Sequence, residues 1–138
     1  MHGEELMNDD LGKLVLRLTL GVLVLLHGIN KIFNGVGFMD GMLAAHGLPS
    51  FVAYGAYIGE VLAPLLVLLG IYSRIGGVLI AINMVFALAL AHSNQFFTLA
   101  KSGGWALELQ AFFLLTGIVV ALLGAGRYSV AGRAGKFN

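Results

Sequence analysis

Two carboxylates, Glu60 and Glu108, stand inside long apolar stretches of this chain. Basic side chains occupy other apolar stretches: Arg17, His27, Lys31 and His92. A charge near the centre of a bilayer costs about 2.5–3.5 kcal/mol on insertion scales. Such groups must therefore meet one another or line a site. A carboxylate can take up and release a proton, and arginine, lysine and histidine can donate hydrogen bonds to a ligand oxygen. Glu108 and Glu60 are thus the catalytic candidates, and Arg17, His27, Lys31 and His92 the candidates for holding a ligand. The chain has no cysteine, which excludes a dithiol mechanism, a thiolate metal site and a disulfide within it. No metal site is expected.

The surrounding composition sets the medium. Of 138 residues, 59% are hydrophobic and 11% charged, and the mean hydropathy is +0.92. Soluble domains average about 45–50% apolar and about 25% charged, so the expected class is an integral membrane protein. The net charge of +1 suggests no nucleic-acid partner. Glu4, Glu5, Asp9 and Asp10 near the N-terminus are the opposite of the basic start of a cleaved signal.

Four apolar runs are each about long enough to cross a hydrocarbon core as a helix: Leu11–Phe33, Phe51–Tyr72, Ile75–Ala91 and Trp105–Gly124. Helices are required because lipid satisfies no backbone polar group. The expectation is an all-α, four-transmembrane-helix bundle. A polar segment (1–10) precedes it and a tail (127–138) follows the membrane domain (11–126). Asn34-Gly35-Val36-Gly37 ends the first helix, Gly47-Leu48-Pro49-Ser50 leads into the second, and Ser102-Gly103-Gly104 precedes the fourth. Phe38–His46 suits a short interfacial helix, and Pro64 should bend the second span. The tight turn at Ser73-Arg74 predicts an antiparallel hairpin of the second and third spans. Gly77/Ala81 and Gly117/Ala121/Ala125 offer small faces for close helix contact. Lys13, Arg74, Arg127, Arg133 and Lys136 fall on one membrane face against Lys31 and Lys101 on the other, which predicts both termini in the cytoplasm.

Depth along these spans brings polar groups together. At ~1.5 Å per residue from a centre near Val22, His27 lies roughly 7 Å outward, Lys31 about 13 Å outward and Arg17 about 7 Å inward. Glu60 falls near the centre of its span, and Glu108 and His92 fall in the outer half. At about 100° per residue, Arg17, His27 and Lys31 share a sector about 80° wide. These positions predict Glu60 paired with Arg17, and Glu108 clustered with His27, Lys31 and His92 in a pocket near the outer surface. Each group also has a plainer reading. Arg17–Glu60 would serve as a structural ion pair fixing helix register, and Lys31 would snorkel to head groups. His27 would bond a neighbouring carbonyl, His92 would sit at the interface, and Asn83 would make an interhelical hydrogen bond.

The order of certain motifs resembles the DoxX family of small bacterial membrane proteins. They are Arg17-Leu18-x-Leu20-Gly21, His27-Gly28-x-x-Lys31, Gly59-Glu60, Gly70 and Arg74, then Trp105 with Glu108, and Gly124-x-Gly126-Arg127-Tyr128-Ser129. The likeness runs from about residue 11 to 133. Val130-Ala131 departs from the Leu-Asp that usually follows the Arg-Tyr-Ser of the tail. The resemblance implies a four-helix bundle in the bacterial plasma (inner) membrane. It also implies association with quinone-linked oxidoreductases, including responses to quinone, catechol, thiol or peroxide stress.

Three functions follow. The first is a redox-associated subunit whose polar pocket takes a quinone. Here Arg17, His27 and Lys31 donate to its oxygens, Glu60 and Glu108 relay protons, and a soluble or membrane oxidoreductase partner supplies electrons. His27 with His92 would also suit a haem iron, a weaker reading because two histidines near one face are common by chance. The second is a non-catalytic anchor or assembly subunit for a soluble oxidoreductase. The third is a small-molecule carrier, which would need a homo-oligomer to form a path and lacks the inverted repeat expected of one.

Overall fold

The computed structural model describes residues 2–138, and Met1, which opens the polar segment, lies outside the described residues. The chain is all helical among those residues apart from turns and one isolated bridge, Leu99 to Trp105. We label its helices α1 (His2–Asn34), α2 (Asp40–Ala45), α3 (Ser50–Leu69), α4 (Ser73–Ala91) and α5 (Glu108–Leu123). Three of them, α1, α3 and α4, are long and apolar enough to cross a membrane. The fourth expected span is shorter than predicted. Its helix starts at Glu108 rather than Trp105 and has 16 residues.

The difference at α5 has a local cause. Residues 98–106 fold back on themselves, with Ala106 N–H donating to Thr98 O at 3.0 Å and Ala100 N–H to Gly104 O at 2.7 Å. Those bonds occupy the backbone that a longer helix would have used. At the other end, α1 is longer than expected because the acidic residues continue the helix back to His2. Acids in a first helical turn favour the positive end of its dipole. Residues 2–10 extend α1 beyond its apolar run, which begins at Leu11.

Leu20 and Val24 of α1, Ala63 and Val67 of α3, Ile80 and Met84 of α4, and Phe113 and Val120 of α5 form the buried core. Large apolar side chains also cover the outside, among them Val15, Leu26, Phe112, Leu115 and Leu122. A surface of that kind needs an apolar solvent, as a bilayer provides. The small faces read in the sequence do make a close helix contact, with each other: a methyl on Gly117 would lie 2.7 Å from Gly77 O, and one on Gly77 would lie 3.0 Å from Ala121 N. The segment after α1 forms a 3-10 turn (Gly37–Met39) and then α2, whose Leu43 is buried with Val36 and Ala53.

Gly70 and Tyr72 adopt left-handed conformations between α3 and α4, so the turn lies there and Ser73 and Arg74 already belong to α4. Within α3, Ile58–Leu62 forms a π turn, with Ala63 N–H bonded to Ile58 O. Pro64, two residues beyond it, has no N–H to offer Glu60 O, which is the position an α-helix would pair it with. The expected disturbance at Pro64 thus takes the form of a widened turn just before it.

Candidate functional site

Glu60 sits in the π turn and is 5% exposed. The sequence predicts Arg17 as its partner; instead Lys31 Nζ bonds Glu60 Oε1, and Asn83 Nδ2 donates to Glu60 Oε2 at 3.2 Å. The register of α1 on α3 explains the difference. A methyl on Gly21 would strike Leu68, and a methyl on Gly28 would strike the carbonyl of Glu60. With α1 seated there, Lys31, three residues past Gly28, reaches Glu60, and Arg17 reaches only the last turn of α3. Gly59 similarly clears space for Asn83, because a methyl there would collide with the asparagine side chain. Tyr57 Oη donates to Lys31 O at 3.1 Å and ties the end of α1 to α3.

These groups line a cavity of about 440 Å³. Apolar side chains from α1 to α5 make most of its wall, including Val24, Met39, Met42, Leu90 and Phe113. His27, Lys31, Glu60, Asn83, His92 and Gln110 are its polar members. His27 packs edge-on against Phe113, with ring centroids 5.7 Å apart. His92 Nδ1 lies 2.8 Å from Gln95 Oε1, and its Nε2 lies 3.5 Å from Gln110 Nε2. A mostly apolar concavity with a few convergent polar groups is the usual form of a small-molecule site. Its volume suits a single aromatic ring with part of an apolar tail.

The structure brings His27, Lys31 and His92 to one cavity, where the sequence reading also grouped these three bases, but their acid is Glu60. Glu108 does not join them. It is exposed at the first position of α5, with its carboxylate folded over Gly104, and the predicted cluster of Glu108 with His27, Lys31 and His92 is not formed. Gln110, two residues further on, faces the cavity in its place. Gln110 did not stand out in the sequence, and Asn83 was read there as an interhelical hydrogen bond, which it makes to Glu60. Position on the inward face of α5 relative to Phe113 and Gly117 is the signal that could have found Gln110.

Arg17 lies elsewhere. It is 1% exposed, and its guanidinium donates to Val67 O and Ala125 O at 2.9 Å each, Tyr128 O at 2.9 Å and Leu68 O at 3.2 Å. It clamps the end of α3 to the segment after α5. Nearby, Asp10 accepts from Arg127 N–H at 3.0 Å and pairs with Arg133. Asp10 lies before the apolar run of α1, and the hydrogen-bonded Arg133 holds its carboxyl below the usual carboxylate range. Arg74 donates to Ala121 O at 2.9 Å and Leu122 O at 2.7 Å, closing the last turn of α5. The N-terminal helix, the α3–α4 turn and the C-terminal tail therefore converge at one end of the molecule.

A family model described as DoxX matches residues 12–93. The chain is 34% identical over 116 residues to a Bacillus subtilis (strain 168) protein named "Putative oxidoreductase CatD", covering 84% of this chain and 81% of that one. It is 28% identical over 103 residues to a Haemophilus influenzae protein described as uncharacterized, covering 72% of this chain and 75% of that protein. No solved structure gives a significant match.

Proposed function

The chain belongs to the DoxX family, and from that premise we propose that it is a redox-associated membrane protein whose cavity takes a quinone headgroup. The observation that carries this reading is the Lys31–Glu60–Asn83 group set in an otherwise apolar wall. Lys31 keeps donors beyond its bond to Glu60 and orients a ring oxygen. Glu60 holds or passes a proton at its carboxylate, with Asn83 fixing the second oxygen. His27 and His92 border the same space. A bound quinone supplies a two-electron, two-proton couple. The chain has no cysteine, so a partner oxidoreductase is the proposed source of electrons. The name of the Bacillus relative agrees with a redox role.

The proposed topology is four crossings of a bacterial inner membrane with both termini in the cytoplasm. Lys13, Arg74, Arg127, Arg133 and Lys136 support it, since basic residues favour the cytoplasmic side. α5 spans about 24 Å as a helix, short of the ~30 Å core; the apolar residues before it, including buried Leu107, make up the remainder.

Purification of the full chain in mild detergent, followed by mass analysis of bound lipophilic molecules, tests the reading. Wild type should carry a quinone, and Lys31→Met and Glu60→Gln should each lose most of it while keeping the wild-type far-ultraviolet circular dichroism. Ligand-free wild type from membranes rich in quinone would sink the proposal and favour a non-catalytic anchor.

A further inference from the structure

The cavity is closed at its two ends and bordered by lipid-facing side chains along one flank. Its inner end is shut where α3 and α4 press together. A methyl on Gly76 would lie 2.9 Å from Ala63 O, and one on Gly59 would strike the Asn83 side chain. Its outer end is covered by α2, whose buried Leu43 packs with Ala53 of α3, and Leu90 of α4 joins the same cluster. Between these closures the two helices part. Gly55, one turn outward of Gly59, lines the cavity, and a methyl there would meet no atom within 4 Å.

Gly55 and Ile58 on α3, and Ile82 and Phe86 on α4, border that gap. All four line the cavity and are also exposed on the outside of the bundle. Ile82 is the middle residue of α4, and Ile58 lies near the middle of α3. In the proposed topology the gap therefore faces hydrocarbon rather than water. Gly55 has ordinary right-handed helical backbone angles, so neither its conformation nor a close neighbour requires glycine. Glycine weakens a helix relative to alanine; here it leaves the opening without a side chain. On the far flank, His27 of α1 and Leu109 of α5 are also exposed members of the cavity wall. A hydrocarbon chain laid there would strip water from an imidazole, whereas the α3–α4 rim carries no polar side chain.

Resting on the quinone reading of the cavity, we propose that it opens sideways into the bilayer between α3 and α4, and that its ligand is a long-chain quinone whose tail leaves over Gly55. The ring lies inside against Lys31 and Glu60, and the chain passes between Ile58 and Ile82 into lipid. Exchange of the ligand then takes place with the membrane and needs no passage through water.

The test uses the full chain in lipid nanodiscs with two probes. One is tetramethyl-1,4-benzoquinone; the other is the same ring with a decyl chain in place of one methyl. Wild type should bind both. Gly55→Leu should keep its affinity for the short probe within about twofold, which also reports a folded site, and lose about tenfold or more for the decyl probe. Leu109→Trp should bind both probes as wild type does. A decyl probe carrying a diazirine at mid-chain should, on illumination, label Ile58, Ile82 or Phe86 of wild type, and excess short probe should suppress the labelling. Undiminished binding of the decyl probe by Gly55→Leu, equal loss of both probes, or competed labelling at Leu109 instead would overturn the proposed exit and leave the quinone reading standing. Binding of the short probe alone by wild type would do the same. No binding of either probe by wild type would overturn both readings together.

Discussion

Arg17 and Lys31 are two cations on one helix, 14 positions apart, and they are used in opposite ways. Arg17 is enclosed, and four carbonyls from two parts of the chain receive its guanidinium. Its donor fork is spent on structure. Lys31 has one carboxylate partner, and both line an open cavity with hydrogen-bonding capacity left over. A buried charge with four of its five donors met by backbone holds the bundle together. One that is only partly satisfied, beside empty space, can bind something else. The presence of an intramembrane charge does not separate the two cases; the inventory of its partners does.

Removing Arg17 should have the largest effect. Arg17→Met leaves the carbonyls of Val67, Leu68, Ala125 and Tyr128 without that donor, and the expected loss is about 3–5 kcal/mol. Thermal melts in detergent should show it, with Arg17→Lys rescuing little because a point charge cannot reach four acceptors in a plane. A melt within a degree or two of wild type would erase the contrast with Lys31.

Gly28→Ala comes next and should damage both ends of the comparison. The added methyl collides with the Glu60 carbonyl, so α1 and α3 must separate. Overpacking of this kind costs about 1–3 kcal/mol, and the Lys31–Glu60 pair should loosen with it. The check is a stability loss accompanied by weaker binding of the quinone probe. Loss of stability with binding intact would show that the site does not depend on that helix contact.

The smallest effect is expected at Asp10, where the pH dependence has a definite sign. Arg133 lowers its pKa in the folded protein from the ordinary 3.8. The pair therefore contributes stability above that value, and the contribution is lost as pH falls through the depressed folded pKa. Arg133→Gln should melt below wild type at neutral pH, with the two converging in acid. A gap that persists or widens in acid would show that Arg133 acts through something other than Asp10.

Much of the frame was legible in the residues. The apolar runs located three long helices and most of a fourth, because lipid leaves a span no other backbone solution. Gly77 and Gly117 marked faces for close helix approach, and the structure brings those two faces together. The pairing of charges was not legible from depth alone. Counting from the midpoint of each run placed Glu60 opposite Arg17, whereas Gly21 and Gly28 set the register and bring Lys31 to it. Glu108 was misplaced for a related reason: the 98–106 turn takes the backbone ahead of α5 and leaves that acid on the surface. Gln110 escaped notice because a neutral amide carries no charge penalty to flag it, whereas Asn83 was read as an interhelical hydrogen bond and makes one to Glu60.

The π turn at Ile58–Leu62 gives α3 two phases. One extra residue in a turn rotates everything on one side of it by about 100° relative to the other. The half after the turn is fixed by Arg17 and the core. The half before it lines the cavity. A single-residue deletion between Ile58 and Leu62 would act like turning a key by a quarter: the locked half would keep its seat while the cavity half presented a different set of side chains. In this architecture, the contents of the cavity can be changed by length as well as by substitution.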